Sequence, residues 1–443
     1  PPPPFSSRRR HTRSYLKSRG LGDVYKRQVE TPEQLEVTRL YKKLSDKYGD
    51  KSESEIAADD MEEFAYYQKV KKDFEKRIIE ARENYEYYQK FKMALTQADT
   101  ETRAKLGKEE YTLSDLNNLD ELDRNPLLMR VYGTGGTVAM YQESIDASLK
   151  HYGSQVNIMY NLDFNGRMTD DNAYDINDVP YGNGFVSGGL GDESHGTHVA
   201  GISLAKRNNG KGSNGVTNNA RLLTVRAVPN GDEYDKDVAL AIRYAVDNGA
   251  KVINMSFGKS YSPNAEWVYD AIKYAASKDV LLVHAAGTDH KDIDKSDNFP
   301  TDAPDKVNEI ADNVITVGAM TRNYNEDLVA TFSNYGKLNV DIFAPGLDVY
   351  SSVPSNEYKR YPGTSMASPA VAGVAAMVRS YYPELSASQV KHILMNSGIK
   401  VDKQVKLPGS EDKLVPFSDL SVSGRVLNAY NALKMADAMV NGK

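Results

Sequence analysis

Gly363-Thr364-Ser365-Met366-Ala367-Ser368-Pro369 places a hydroxyl where a helix begins. The run from Met366 to Val378 is rich in small residues and nearly apolar all round, the pattern of a buried helix. Gly363 permits a sharp turn, and Pro369 is expected in the first helical turn, where its missing N–H costs nothing. Ser365 then has free backbone N–H groups and the positive end of a helix dipole beside its hydroxyl. That suits a nucleophile whose substrate becomes an oxyanion, although an ordinary serine N-cap has the same local pattern. A second motif adds a base. His195-Gly196-Thr197-His198-Val199-Ala200-Gly201 opens another helix after a glycine- and acid-rich loop. An activated serine needs a base within hydrogen-bond reach, and His195 is the leading candidate. His195 and His198 are three apart and share a helix face, as metal ligands would, but no third ligand presents itself.

The elements that must position these residues change character along the chain. From about Thr31 to Thr100 the pattern is helical: Val37, Leu40, Leu44 and Tyr48 form one stripe, ended by Gly49. Phe64, Tyr67, Val70, Phe74, Ile78, Ala81, Tyr85, Tyr88 and Phe91 form a second, which predicts a long amphipathic helix paired in a hairpin, with the aromatics as a packing seam. Shorter helical pieces between Leu106 and His151 are broken by Gly133, Gly135 and Gly136; without a preceding apolar strand and a lysine they do not form a phosphate loop. After Tyr152 the pattern becomes α/β. Apolar β-rich runs at Leu222–Val228, Val252–Met255, Val280–Val283, Val314–Val317 and Val340–Phe343 alternate with helices at Val199–Lys206, Lys236–Asn248 and Ala265–Ser277. Continuous apolar strands separated by helices predict a parallel sheet covered on both faces, with ligand sites at the carboxyl ends of its strands.

The totals exclude several classes. The chain has 443 residues, 40% of them hydrophobic and 26% charged, with a net charge of −6 that gives no global reason to bind nucleic acid. No apolar run approaches the roughly 18 residues of a membrane span. Cysteine is absent, which removes disulfides, thiolate metal sites and a cysteine nucleophile. Residues 1–28 are basic and proline-led, without the apolar core of a signal peptide. They resemble translated sequencing-adaptor sequence more than a nucleic-acid-binding arm. The natural protein is therefore expected to extend upstream of Val29.

HGTHVAG and GTSMASP, in that order, resemble the histidine and serine signatures of the subtilisin-like serine peptidases. VINMSFG (Val252–Gly258) resembles that family's substrate-lining strand, and HAAGT (His284–Thr288) the strand entering its oxyanion site. The resemblance runs from about Tyr152 to Met439. It implies a three-layer α/β domain with a parallel sheet at 152–443, preceded by a helical insertion at 29–151. It also implies that Ser365 attacks a peptide carbonyl while His195 takes and returns the proton. The backbone of Ser256, Phe257 and Gly258 would pair with an extended polypeptide substrate. An α/β-hydrolase would instead show G-x-S-x-G and another order of partners. Secretion or attachment to the cell envelope follows from the same resemblance. No cofactor is required for this chemistry.

Two departures from the family pattern matter. Its histidine is held by a buried aspartate in an Asp-Ser/Thr-Gly tripeptide after an apolar strand, and no such tripeptide occurs here. Asp163, after Val156, Ile158, Tyr160 and Leu162, is one substitute; the preferred alternative is a carboxylate upstream of Val29. A helical insertion between aspartate and histidine is similar to one in subtilisin-like enzymes of the Bacteroidetes type. Loss of the aspartate costs on the order of 10⁴-fold in a subtilisin, so poor activity is expected of the chain as it stands. Second, Thr288 occupies the position of the family's oxyanion asparagine. In a subtilisin, loss of that donor costs about 2.7–4 kcal/mol. Two non-enzymatic readings follow: a pseudo-protease that binds extended peptides, and an interaction protein acting through the helical hairpin. Asp289, Asp292, Asp294 and Asp297 form an acidic loop where structural calcium is conceivable, but EF-hand spacing is lacking and no metal ligand is assigned.

Overall fold

The computed structural model describes residues 32–443, apart from 165–166, 168, 185, 187–192, 229–232 and 443. The adaptor-like stretch 1–28 and most of the acidic loop before His195 lie outside the described residues. Two compact units divide the described residues, one within 32–167 and one within 169–442, apart from Glu233, which groups with the first.

The first unit is helical, with α1 (Pro32–Tyr48), α2 (Met61–Leu106), α3 (Leu113–Asn117), α4 (Pro126–Gly133) and α5 (Val138–Ser154). Helices α1 and α2 run antiparallel through an aromatic seam: Tyr41 stacks on Phe74 at 4.3 Å, and Tyr48 meets Phe64 edge-on at 5.4 Å. The far half of α2 pairs with α5, where Tyr88 stacks on Tyr152 and Lys92 binds Asp146 at 2.6 Å. The glycines at 133–136 separate two helices, and Thr137 caps α5 by accepting from the Met140 amide. A π-helical turn at Gln155–Met159 then carries the helical path beyond His151. Val156, Ile158, Tyr160 and Leu162, which precede Asp163, therefore lie on no strand. That wider turn is closed by the 2.8 Å bond from the Tyr160 amide to the Gln155 carbonyl, and it buries the adjacent Met159 and Tyr160 while Leu162 stays exposed.

The second unit contains α6 (Ser194–Leu204), α7 (Asp235–Asp247), β1 (Val252–Met255), α8 (Ala265–Ser277), β2 (Leu281–Ala285), β3 (Val314–Met320), β4 (Ile342–Pro345), β5 (Val349–Val353), β6 (Glu357–Tyr361), α9 (Thr364–Tyr381), α10 (Ala387–Ser397), β7 (Ile399–Lys400), β8 (Gln404–Lys406), β9 (Leu414–Pro416), β10 (Arg425–Val426) and α11 (Ala429–Asn441). Among the described residues, six strands form the central sheet in the order β1-β2-β3-β4-β10-β7, parallel except for β7. Side chains alternate across it. Leu281, Val283, Ile315 and Val317 pack against α9, α10 and α11, whereas Leu282, Val314 and Met255 pack against α7 and α8. Both faces are therefore buried, which explains the unbroken apolar strands and gives the expected three-layer α/β architecture.

Leu222–Val228 is a correction. Residues 221–227 join no ladder among the described residues, and Leu222 is 58% exposed. Strand β1 pairs only with β2 among those residues, so its outer edge stays open and the β-propensity of 222–228 does not by itself form a ladder there. Gly318 in β3 shows how tightly the sheet is filled, because a Cβ there would run into the Phe343 ring of β4. Gly318→Ala is expected to cost about 1–3 kcal/mol by overpacking, read as a lowered denaturant midpoint at unchanged slope.

Candidate active site

Helix α9 starts because Gly363 adopts φ +145°, a conformation open to glycine, and its carbonyl accepts the Met366 amide at 3.0 Å. Ser365 is the second residue of the helix and half-buried. Its backbone N–H belongs to the first turn, which has no helical acceptor. Pro369 is a correction to the sequence reading: it is the sixth helical residue and lies in the second turn. Its missing N–H would have bonded the carbonyl four residues back, that of Ser365. That carbonyl instead accepts the Ser256 hydroxyl at 2.9 Å. Ser256 also receives the Asn254 amide at 2.9 Å and touches the Ser368 hydroxyl at 2.9 Å, and Ser368 donates to Asn254 at 2.9 Å. A closed polar ring thus ties the end of β1 to the start of α9.

The segments that follow β1 and β2 converge on this helix start. The Ser365 hydroxyl donates to the Ser256 carbonyl at 3.3 Å, a long bond that leaves it able to turn toward a base. The Gly287 amide donates to the Thr364 hydroxyl at 3.0 Å, bringing the Ala285–Thr288 segment to the residue beside Ser365. Thr288 and Gly258 are exposed, and Phe257 is half-buried with its carbonyl accepting the His284 Nε2–H at 2.9 Å. Helix α6 packs on α9, and Ser203 donates to the Pro369 carbonyl at 2.8 Å. His195 is exposed in the first turn of α6. His198, despite the three-residue spacing, has different surroundings. It is fully buried, bonded through Nε2 to the Lys359 carbonyl at 3.0 Å and stacked on Tyr361. Burial lowers its pKa, so it is a neutral packing group between α6 and the β5–β6 hairpin.

Asp163 does not have the surroundings of a buried triad carboxylate. It follows the π turn, its side chain is 93% exposed, and its partner is Lys42 at 3.5 Å. The carboxylates of the acidic loop have partners, several of them outside the loop. Asp292 pairs with Lys295 and Asp297 with Lys306, while Asp294 accepts from the Leu338 and Asn339 amides. Among the described residues, no group of three or more histidine, aspartate and glutamate side chains is arranged to hold a metal ion. His392 is paired with Asp312 at 3.0 Å, a contact no local pattern announced. Asn254 and Ser368 were also missed. Their signals were present: a lone amide inside an apolar strand and a second serine three residues after Ser365.

Against known proteins, the profile of the subtilase family matches residues 125–422. The chain is 43% identical over 188 residues to a thermophilic serine proteinase of Bacillus sp. (strain AK1), covering 42% of this chain and 43% of that protein. It is 38% identical over 220 residues to subtilisin DY of Bacillus licheniformis, covering 49% of this chain and 75% of that one. It is 36% identical over 241 residues to thermitase of Thermoactinomyces vulgaris, covering 54% and 75%. The chain thus spans under half the length of the first relative and three quarters of the other two.

Two outcomes follow from the geometry. Ser256→Ala should cost about 1–3 kcal/mol by stranding the Ser365 carbonyl. Adding Pro369→Ala returns an N–H to that carbonyl, so the double variant should unfold at higher denaturant than Ser256→Ala; an equal or lower midpoint would contradict the assignment. Burial pushes His284 down from 6.5 to about 4. The unfolded ring protonates below about 6.5 while the folded ring stays neutral, so its contribution to stability falls as pH drops from 6.5 and is lost by about 4. His284→Gln should remove about 3 kcal/mol of acid sensitivity, read from denaturant titrations at pH 7 and pH 4.

Proposed function

The chain belongs to the subtilase family, and on that premise we propose that it is a serine endopeptidase acting on polypeptides through an acyl-enzyme at Ser365. The observation that carries this reading is the convergence of Ser256, Gly287 and Ser365 on one helix start. In the proposed reaction, His195 takes the Ser365 proton as the hydroxyl oxygen bonds to the substrate carbonyl carbon. The carbonyl oxygen gains the negative charge and lies beside the first-turn N–H groups of α9, with the Thr288 hydroxyl as a further donor. Collapse breaks the C–N bond, and His195 passes its proton to the leaving amine. Water then releases the acyl group by the same steps. An extended substrate strand lies along Ser256–Gly258, where exposed Gly258 leaves the backbone uncovered.

The chemistry uses no cofactor. Among the described residues no helix is long and apolar enough to cross a membrane. We place the protein outside the cytoplasm, secreted or at the cell envelope, by its family relationship.

A fluorophosphonate probe tests the reading. Labelling of the folded chain and its loss in Ser365→Ala are expected; folded protein that never labels would leave a peptide-binding protein instead. Thr288→Asn restores a longer donor and should raise the labelling rate up to about 100-fold. An unchanged rate would remove Thr288 from the oxyanion side.

A further inference from the structure

Asn334 is fully buried, yet none of the chemistry above uses it. Its side chain reaches three points of the loop that follows β2. Nδ2 donates to the Ala286 carbonyl at 2.8 Å, and Oδ1 accepts the Asp289 amide at 3.0 Å and the Lys291 amide at 2.8 Å. The Asn334 backbone amide adds a fourth bond, to the Gly287 carbonyl at 2.9 Å. Thr288 lies between these attachment points. The amide is itself anchored to the sheet: Ser333 accepts the Ala319 amide of β3 at 2.9 Å and donates to the Asn334 carbonyl at 2.8 Å. Gly287 accommodates the close approach, with φ +100° and a missing Cβ that would overlap Asn334 Nδ2.

We propose that Asn334 is a positioning residue that locks the Ala286–Lys291 loop onto β3 and so fixes Thr288 at the oxyanion side of Ser365, an inference that rests on the hydrolase reading. An amide is suited to the role because it donates to one backbone carbonyl and accepts from two backbone N–H groups at once. An apolar residue would strand all three groups, and a carboxylate would face the Ala286 carbonyl with no proton to share. Gly287 links the two sides of the site, since its amide bonds Thr364 while its carbonyl bonds Asn334. A shift of the loop is therefore transmitted to the residue beside the nucleophile.

The full chain is tested with Asn334→Ala and Asn334→Asp, by fluorophosphonate labelling rate and by hydrogen exchange of the Asp289 and Lys291 amides. Asn334→Ala should slow labelling by about 100-fold, the scale of an ångström-sized misplacement, and should speed exchange at both amides. Asn334→Asp keeps the accepting oxygen, so both amides should stay protected while labelling slows less; it also carries the comparison if the alanine variant does not fold. Combined with Thr288→Ala, the Asn334→Ala penalty should shrink to within about twofold, because Asn334 acts through Thr288. Folded Asn334→Ala labelling at the parental rate, or penalties that simply multiply, would overturn the inference. A folded parent that never labels overturns the hydrolase reading instead, and exchange then decides separately whether Asn334 holds the loop.

Discussion

The site depends on one missing N–H. Pro369 cannot close the helical bond to the Ser365 carbonyl, and an unpaired carbonyl in a buried helix is costly. The Ser256 hydroxyl fills the vacancy from the end of β1. Because Ser256 is in turn held by Asn254 and Ser368, the defect becomes a joint between strand and helix. A regular helix would satisfy its own carbonyl and need no such partner. The proline thus makes the backbone at Ser365 answer to the sheet.

The sheet can serve as that reference because both faces are filled. Leu281 and Val283 face one helical layer and Leu282 the other, so β2 cannot slide by a residue without inverting both cores. Three chain segments then leave this rigid base near the same place: Ser256 after β1, Ala286 and Gly287 after β2, and Asn334 after the loop that returns from β3. Each is attached by backbone or amide hydrogen bonds with no charged partner. Geometry held this way is insensitive to salt, unlike geometry held by surface ion pairs.

Much of this could be read in the sequence, for physical reasons that also mark the limits. Strands β1–β4 were legible because burial on two faces leaves uninterrupted apolar runs, and α9 because a run of small residues apolar nearly all round marks a buried helix. The run Leu222–Val228 has the same local composition as β2 but no ladder among the described residues; composition records a preference, whereas a strand needs a neighbour. Val156–Leu162 failed differently: residue types alternate there, but the chain makes a π turn that buries the adjacent Met159 and Tyr160 and leaves Leu162 exposed. Ser365 and His195 were legible as motifs. The roles of Asn254, Ser368 and Asn334 were not, because each depends on a contact between residues far apart in the chain, from 14 positions upward for the Ser333–Ala319 anchor to 114 for Ser368 with Asn254.

The buried polar groups also separate by function. His284 and His198 are both held neutral by burial, each tied through Nε2 to a backbone carbonyl. At the opposite extreme, burial pushes Asp302 up to about 7 and Asp341 up to about 6, with Lys391 nearby opposing both shifts. The Asp341 carboxylate accepts the Thr316 amide at 2.7 Å, and Lys391 reaches Glu309 at 2.5 Å and Asp312 at 3.4 Å. None of these titrating groups belongs to the polar ring around Ser365. That ring consists of two serine hydroxyls, one asparagine amide and backbone carbonyls, so protonation leaves it intact across the neutral range. A frame built from hydroxyls, an amide and carbonyls therefore holds the start of α9 in the same place at every pH where the fold survives.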